Sequence, residues 1–217
     1  MTSLVTAVYG GYDVPKPLPD GHGFDDAVLV TDRPFGAAGW RVVIAPSDEP
    51  PRLAAKRPKC LPWEFVDDDA VLWLDGAFEV LPGLRAVVDD HLAGADLVAW
   101  RHPSGRVDAF EEAAFSAGYA KYAPMADALA AQADAYAAAG LPRASGLWEV
   151  GMLARRRTPL VERLGRSWLA ECHARTVQDQ VSFPYACWRH GVEPAPWRAS
   201  SHWDCGWVRW HAHRDDS

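Results

Sequence analysis

The chain is 217 residues long, enough for one domain with a core of its own. Apolar residues make up 49% and charged residues 24%, which excludes a disordered, collagenous or coiled-coil chain. With 22 basic against 29 acidic side chains the formal net charge is −7, which argues against global attraction to nucleic acid or an anionic membrane but leaves room for a local basic pocket.

Residues 3–9 (SLVTAVY) are β-branched and apolar and stop at Gly10-Gly11, predicting a buried first strand closed by a tight turn. Residues 13–22 contain Pro15, Pro17 and Pro19 and read as an extended surface loop. Residues 27–31 (AVLVT) and 40–45 (WRVVIA) predict the second and third strands. Residues 47–62 combine Pro50, Pro51, Pro58 and Pro62 with Arg52, Lys56, Arg57 and Lys59, which reads as a basic loop. The most hydrophobic strand is 70–74 (AVLWL), preceded by Asp67, Asp68 and Asp69 and followed by Asp75-Gly76.

Helix and strand then alternate. Residues 84–92 predict a helix and 96–100 (DLVAW) a strand. Residues 109–139 are alanine-rich and helical, broken near Pro124 because proline lacks the N–H and clashes with the preceding turn. Gly140-Leu141-Pro142 ends that stretch. A strand is predicted over 148–154 and helices over 159–173 and 179–190, before an irregular tail, 192–217, rich in Trp and His. With no repeats or low-complexity linker, residues 1–217 are expected to form a single domain. Short apolar strands interleaved with helices indicate an α/β fold whose sheet is mostly parallel. In such sheets ligands sit beyond the carboxyl ends of the strands. That rule selects Tyr9-Gly10-Gly11, Asp32, Asp75-Gly76 and Arg101-His102.

Cys60, Cys172, Cys187 and Cys205 form no CxxC pair, so neither a zinc knuckle nor a disulfide framework is indicated, and reduced thiols in a cytosolic protein are the plain reading. Residues 1–14 hold no basic region leading into a long apolar stretch, and no run approaches the ~18 apolar residues of a membrane span. A soluble, cytoplasmic protein is expected. Trp is unusually frequent, 11 in all, and gathers toward the end at Trp188, Trp197, Trp203, Trp207 and Trp210. Indole area of this kind suits a sugar-binding surface and a large core equally well.

Asp75 follows five apolar residues and would stand at the mouth of the sheet, where a carboxylate can hold a divalent cation that neutralises a diphosphate. The plain alternative is that Asp-Gly only makes a turn. Arg52, Lys56, Arg57 and Lys59 can clamp phosphate oxygens or form ordinary solvated surface. Asp179-Gln180 opens a helix and is either an acid and an amide aimed at sugar hydroxyls or, with Thr176, a cap. His202 is a candidate cation ligand or a surface histidine. The Walker and dinucleotide glycine patterns, the GxSxG elbow and HExxH are all absent.

Several of these segments come in one order: Thr6-Ala7-Val8-Tyr9-Gly10-Gly11-Tyr12-Asp13, Thr31-Asp32, Lys59-Cys60-Leu61-Pro62, Leu72-Trp73-Leu74-Asp75-Gly76, Arg101-His102-Pro103, Glu111-Glu112-Ala113, Trp168-Leu169-Ala170-Glu171 and Asp179-Gln180-Val181-Ser182-Phe183. Over residues 4–190 this series resembles a glycosyltransferase-like family first catalogued as a domain of unknown function. More distantly it is similar to retaining enzymes of the glycogenin type. The resemblance implies a GT-A fold, a Rossmann-like sheet that binds a nucleotide-sugar. By the same analogy Tyr9 and Asp32 meet the base and ribose, and from the basic cluster Arg52 and Lys59 are the expected phosphate contacts. In the analogy Asp75 takes the place of the metal-binding acid, for Mn²⁺ or Mg²⁺, and Asp179 and Gln180 face the transferred sugar; His202, read from the tail alone, is the further candidate metal ligand. The sequence departs from the family pattern at Ala77, where a second metal-binding acid is usual, at Trp63 in place of histidine and at Gln178 in place of arginine.

The implied activity is transfer of a sugar from a nucleotide-sugar, a UDP-sugar above all, to a hydroxyl of a glycan or other acceptor. The loss of the second acid at Ala77 leaves open a non-catalytic sugar-binding or scaffolding protein with the same fold. A nucleotidyltransferase ranks below both, because Tyr9-Gly10-Gly11-Tyr12-Asp13 has the glycines of its loop without a basic residue.

Overall fold

The structure, a computed structural model, describes residues 1–212. In chain order the elements are β1 (Thr2–Val8), β2 (Asp26–Thr31), β3 (Arg41–Ile44), α1 (Pro51–Ala54), α2 (Lys56–Cys60), β4 (Ala70–Leu74), β5 (Phe78–Val80), α3 (Leu84–Leu92), β6 (Leu97–Arg101), α4 (Ala109–Gly118), α5 (Ala126–Ala138), β7 (Trp148–Arg156), α6 (Pro159–Ala174), α7 (Asp179–His190), β8 (Ala195–Pro196) and β9 (Val208–Trp210).

Seven strands form one sheet in the order β3-β2-β1-β4-β7-β6-β8. β1, β2, β3 and β4 run parallel, and β6 pairs in parallel with β8. β7 enters between β4 and β6 and pairs antiparallel with both. The α/β class and the mostly parallel, helix-flanked, Rossmann-like sheet expected from the sequence are therefore present. β5 and β9 make a separate two-stranded ribbon. Among the described residues no helix is long and apolar enough to cross a membrane.

The central strands are apolar on both faces because both faces are covered. Val5, Val30, Trp73 and Leu153 pack with Cys60 of α2, Trp168 of α6 and Phe183 of α7. On the other side Leu4, Leu72, Leu74 and Met152 pack with Leu84, Val88 and Leu92 of α3 and with Trp197 and Val208 of the tail. Fully burying a side chain of this size contributes roughly 1.5–3 kcal/mol. A third cluster joins α4, α5 and α7 through Phe110, Leu129, Tyr136 and Val181. Pro124 does break the alanine-rich stretch, and a 3-10 turn at Ala123–Met125 separates α4 from α5.

Two expectations change. Residues 47–62 are not a loop: they hold α1, α2 and a 3-10 turn at Pro62–Glu64. Prolines are tolerated there because a first helical turn has N–H groups with no intrahelical partner, and Pro51 stands at such a position. The tail is irregular for most of its length but contributes the short strands β8 and β9. Its residues 213–217 lie outside the described residues.

Candidate functional site

Beyond the carboxyl ends of β1 and β4 lies a cavity of about 470 Å³, walled by the turn after β1, by α1 and α2, by the start of α7 and by residues 121–122. Tyr9, Arg52, Lys59, Asp75, Asp179 and Gln180 all line it. It carries four cationic side chains, Arg52, Lys56, Lys59 and Lys121, against three acids, Asp13, Asp75 and Asp179. The local balance is thus opposite in sign to the net −7 of the chain.

Lys59 is the centre of this site. Its Nζ lies 2.8 Å from Asp179 Oδ2 and 3.2 Å from Asp75 Oδ1, so one ammonium joins the end of β4 to the start of α7. Lys56 adds a second ammonium 2.9 Å from Asp179 Oδ2. The two lysines share a helix face because they are three residues apart. Burial opposes the charge on Lys59, but the carboxylates of Asp179 and Asp75 outweigh it and hold the ammonium above its ordinary pKa. Burial likewise opposes the charge on Asp179, and Lys56 and Lys59 outweigh that, leaving the carboxyl well below the usual carboxylate range.

Neighbouring groups fix these acids. Trp73 Nε1 donates to Asp75 Oδ1 at 2.7 Å. The Asp179 carbonyl accepts from Trp168 Nε1 at 3.0 Å and from Ser182 Oγ at 3.1 Å. Asp179 does not cap α7 with its side chain, which is turned to the lysines instead. Its carboxylate nevertheless sits in the first turn, at the positive end of the helix dipole. Thr176 does not cap either, since its hydroxyl donates to Gln132 Oε1 at 2.7 Å. Beside Asp179, Gln178 donates to Ser116 Oγ at 3.0 Å and to Glu112 Oε1 at 3.2 Å, tying α7 to α4.

The turn after β1 needs its glycines. Gly10 adopts φ +65°, and a Cβ there would press into the Pro51 ring of α1. Tyr9 is in the cavity wall but is buried in the core, and its hydroxyl donates to the Ala45 carbonyl at 3.0 Å. Opposite, the Arg52 guanidinium lies 4.8 Å from the centre of the Tyr122 ring, and Lys121 donates to the Tyr12 hydroxyl at 2.6 Å. Residues 121–122 thus reach across from the α4–α5 connection to the mouth of the cavity.

Two expected site residues lie outside the wall. Asp32 accepts from the Gly10 N–H at 3.0 Å, which places it behind the glycine turn, where it holds the turn's shape. His202 is directed to Glu149, with Nδ1 2.7 Å from Oε1, on the far side of Phe78. The sequence reading also missed members of the wall. Asp13 was visible in the Gly-Gly-Tyr-Asp turn, but nothing local marks Lys121 or Tyr122, which a distant connection brings in.

Among the described residues no three His, Cys, Asp or Glu side chains group into a metal cage. Asp75 and Asp13 both line the wall, the Asp13 carboxyl standing against Gly76, the residue after Asp75. Such a pair suits Mg²⁺ or Mn²⁺ that arrives with a diphosphate and takes its remaining ligands from phosphate and water. Comparison with known proteins finds no matching protein family and no matching curated protein.

Proposed function

We propose that the protein is a glycosyltransferase that takes a sugar from a nucleoside diphosphate sugar, a UDP-sugar in the first instance, and passes it to a hydroxyl of a glycan or other acceptor. The observation that carries this reading is the joining of Asp75 and Asp179 by Lys59 in one cationic cavity at the strand ends. As the glycosidic bond breaks, negative charge gathers on the leaving diphosphate. Lys56, Lys59 and Arg52 are positioned to stabilise it, the arginine through paired donors. Phosphate oxygens then compete with Asp179 for the two ammonium groups and release its carboxylate toward the electron-poor sugar carbon. Gln180 stands beside it to hold sugar hydroxyls. Tyr9, at the end of β1, forms part of the wall on the nucleotide side, and Asp32 acts through the turn it braces.

Asp75, with Asp13, would hold a divalent ion arriving on the diphosphate, and that ion's contribution is to neutralise phosphate charge. The four cysteines are free thiols, which fits a reducing compartment such as the cytoplasm.

One observation favours a second reading, a sugar-binding protein of this fold that performs no transfer: both lysines are already engaged by Asp179. Calorimetric titration with UDP, with and without Mn²⁺, tests the first reading. Binding is expected in both conditions and is tighter with the ion. Failure to bind any nucleoside diphosphate in either condition overturns the reading. A screen for slow hydrolysis of nucleotide-sugars separates the two, since only the transferase releases free sugar.

A further inference from the structure

The tail places an unused polar pair beside an exposed indole. His202 is nine-tenths buried, with its Nδ1 2.7 Å from Glu149 Oε1. A carboxylate accepts, so Nδ1 carries a proton and donates to Glu149. Nε2 is buried and has no hydrogen-bond partner among the described residues. An orphan of this kind costs free energy unless something meets it. The imidazole lies edge-on to Phe78 at 5.3 Å, and Trp203 lies 4.3 Å from it on the outer side.

Trp203 is 66% exposed, with Trp210 5.5 Å away. The turn that carries it is fixed, because Ser200 and Ser201 both donate to Asp204 Oδ2, at 2.8 and 3.1 Å. An indole held outward by a pinned turn is not there to fill the core. The pair also adjoins the cavity. Gly151 lines the cavity, a Cβ on it would stand 3.0 Å from the Phe78 ring, and that ring lies 5.3 Å from the His202 imidazole.

We infer that Trp203, His202 and Glu149 form a carbohydrate-binding subsite, in which a pyranose ring stacks on the indole and its hydroxyls meet the imidazole and the carboxylate. Apolar area backed by a few convergent polar groups is the general composition of a small-ligand site. Stacking supplies the apolar area, as sugars carry C–H groups on one face. His202 and Glu149 keep 10% and 13% of their side-chain surface exposed beside the indole. The assignment of this subsite to the acceptor rests on the glycosyltransferase reading; the binding itself does not.

Calorimetric titration of the full chain with maltotriose, cellotriose, laminaritriose and mannotriose, without nucleotide, tests the inference. At least one trisaccharide is expected to bind. Trp203→Ala should weaken it about tenfold or more, Glu149→Gln should weaken it as well, and Trp203→Phe should keep most of the affinity. The thermal midpoint and UDP affinity of Trp203→Ala should match those of the unaltered chain, which shows that the fold survives. Binding of no trisaccharide, or equal affinity in Trp203→Ala, overturns the inference. Loss of UDP binding in the unaltered chain with Trp203-dependent trisaccharide binding intact overturns the donor reading alone.

Discussion

Lys59 keeps its charge at 4% exposure because two carboxylates meet it, and Asp179 keeps its own because two ammonium groups do. Removing one member of such a buried set leaves the others uncompensated. Asp179→Asn is therefore expected to cost about 3–5 kcal/mol in urea unfolding. Sugar transfer should fall with it, because the asparagine carries no charge to set against an electron-poor carbon. Asp75 was legible in the sequence as an acid after an apolar strand, and Asp179 as an acid opening a helix. Their meeting through Lys59 was not, since the lysine belongs to a segment whose prolines read as loop. Asp32 and His202 show the opposite failure. Both are chemically plausible as site residues, yet a Gly10 N–H claims one and Glu149 the other, and neither pairing leaves a local trace in the sequence.

α2 carries both lysines, and α6 holds α2 in place at a point where a side chain is missing. A Cβ on Gly165 would run into the Cys60 carbonyl oxygen at the end of α2. Gly165→Ala should therefore displace α2, cost about 1–3 kcal/mol as overpacking does, and weaken UDP binding beyond what its stability loss explains. Calorimetric titration at a temperature where the variant stays folded checks this. Most elements were legible: the apolar runs of β1 and β4 and the starts of α6 and α7 lie where the residue pattern puts them, and the structure adds the cap of α6, the Thr158 hydroxyl accepting from the Val161 N–H at 3.2 Å. The direction of β7 was not, because an apolar strand buried on both faces reads the same whichever way it runs.

For the whole molecule, the buried charges define a pH window. The Asp179 carboxyl lies below its ordinary 3.8 in the folded state, so its contribution is complete above that value and fades as pH falls through the folded pKa. The Lys59 ammonium lies above its ordinary 10.5, so its contribution is complete below 10.5 and fades as pH rises through the folded pKa. Arg155 acts in the other sense. Burial pulls its guanidinium down to about 10, a penalty that is present below that pH and relieved above it, offsetting part of the alkaline loss. Urea midpoints are expected to fall more steeply on the acid side than on the alkaline side, and Asp179→Asn should flatten the acid limb. The placement of β7 between β4 and β6 has a further consequence, for synthesis. Both neighbours leave the ribosome before β7 does, so until residue 156 has emerged β4 has an open inner edge and β6 has no partner strand at all. Such edges recruit other chains, and the window in which a chaperone is most useful to this protein falls in that interval of translation.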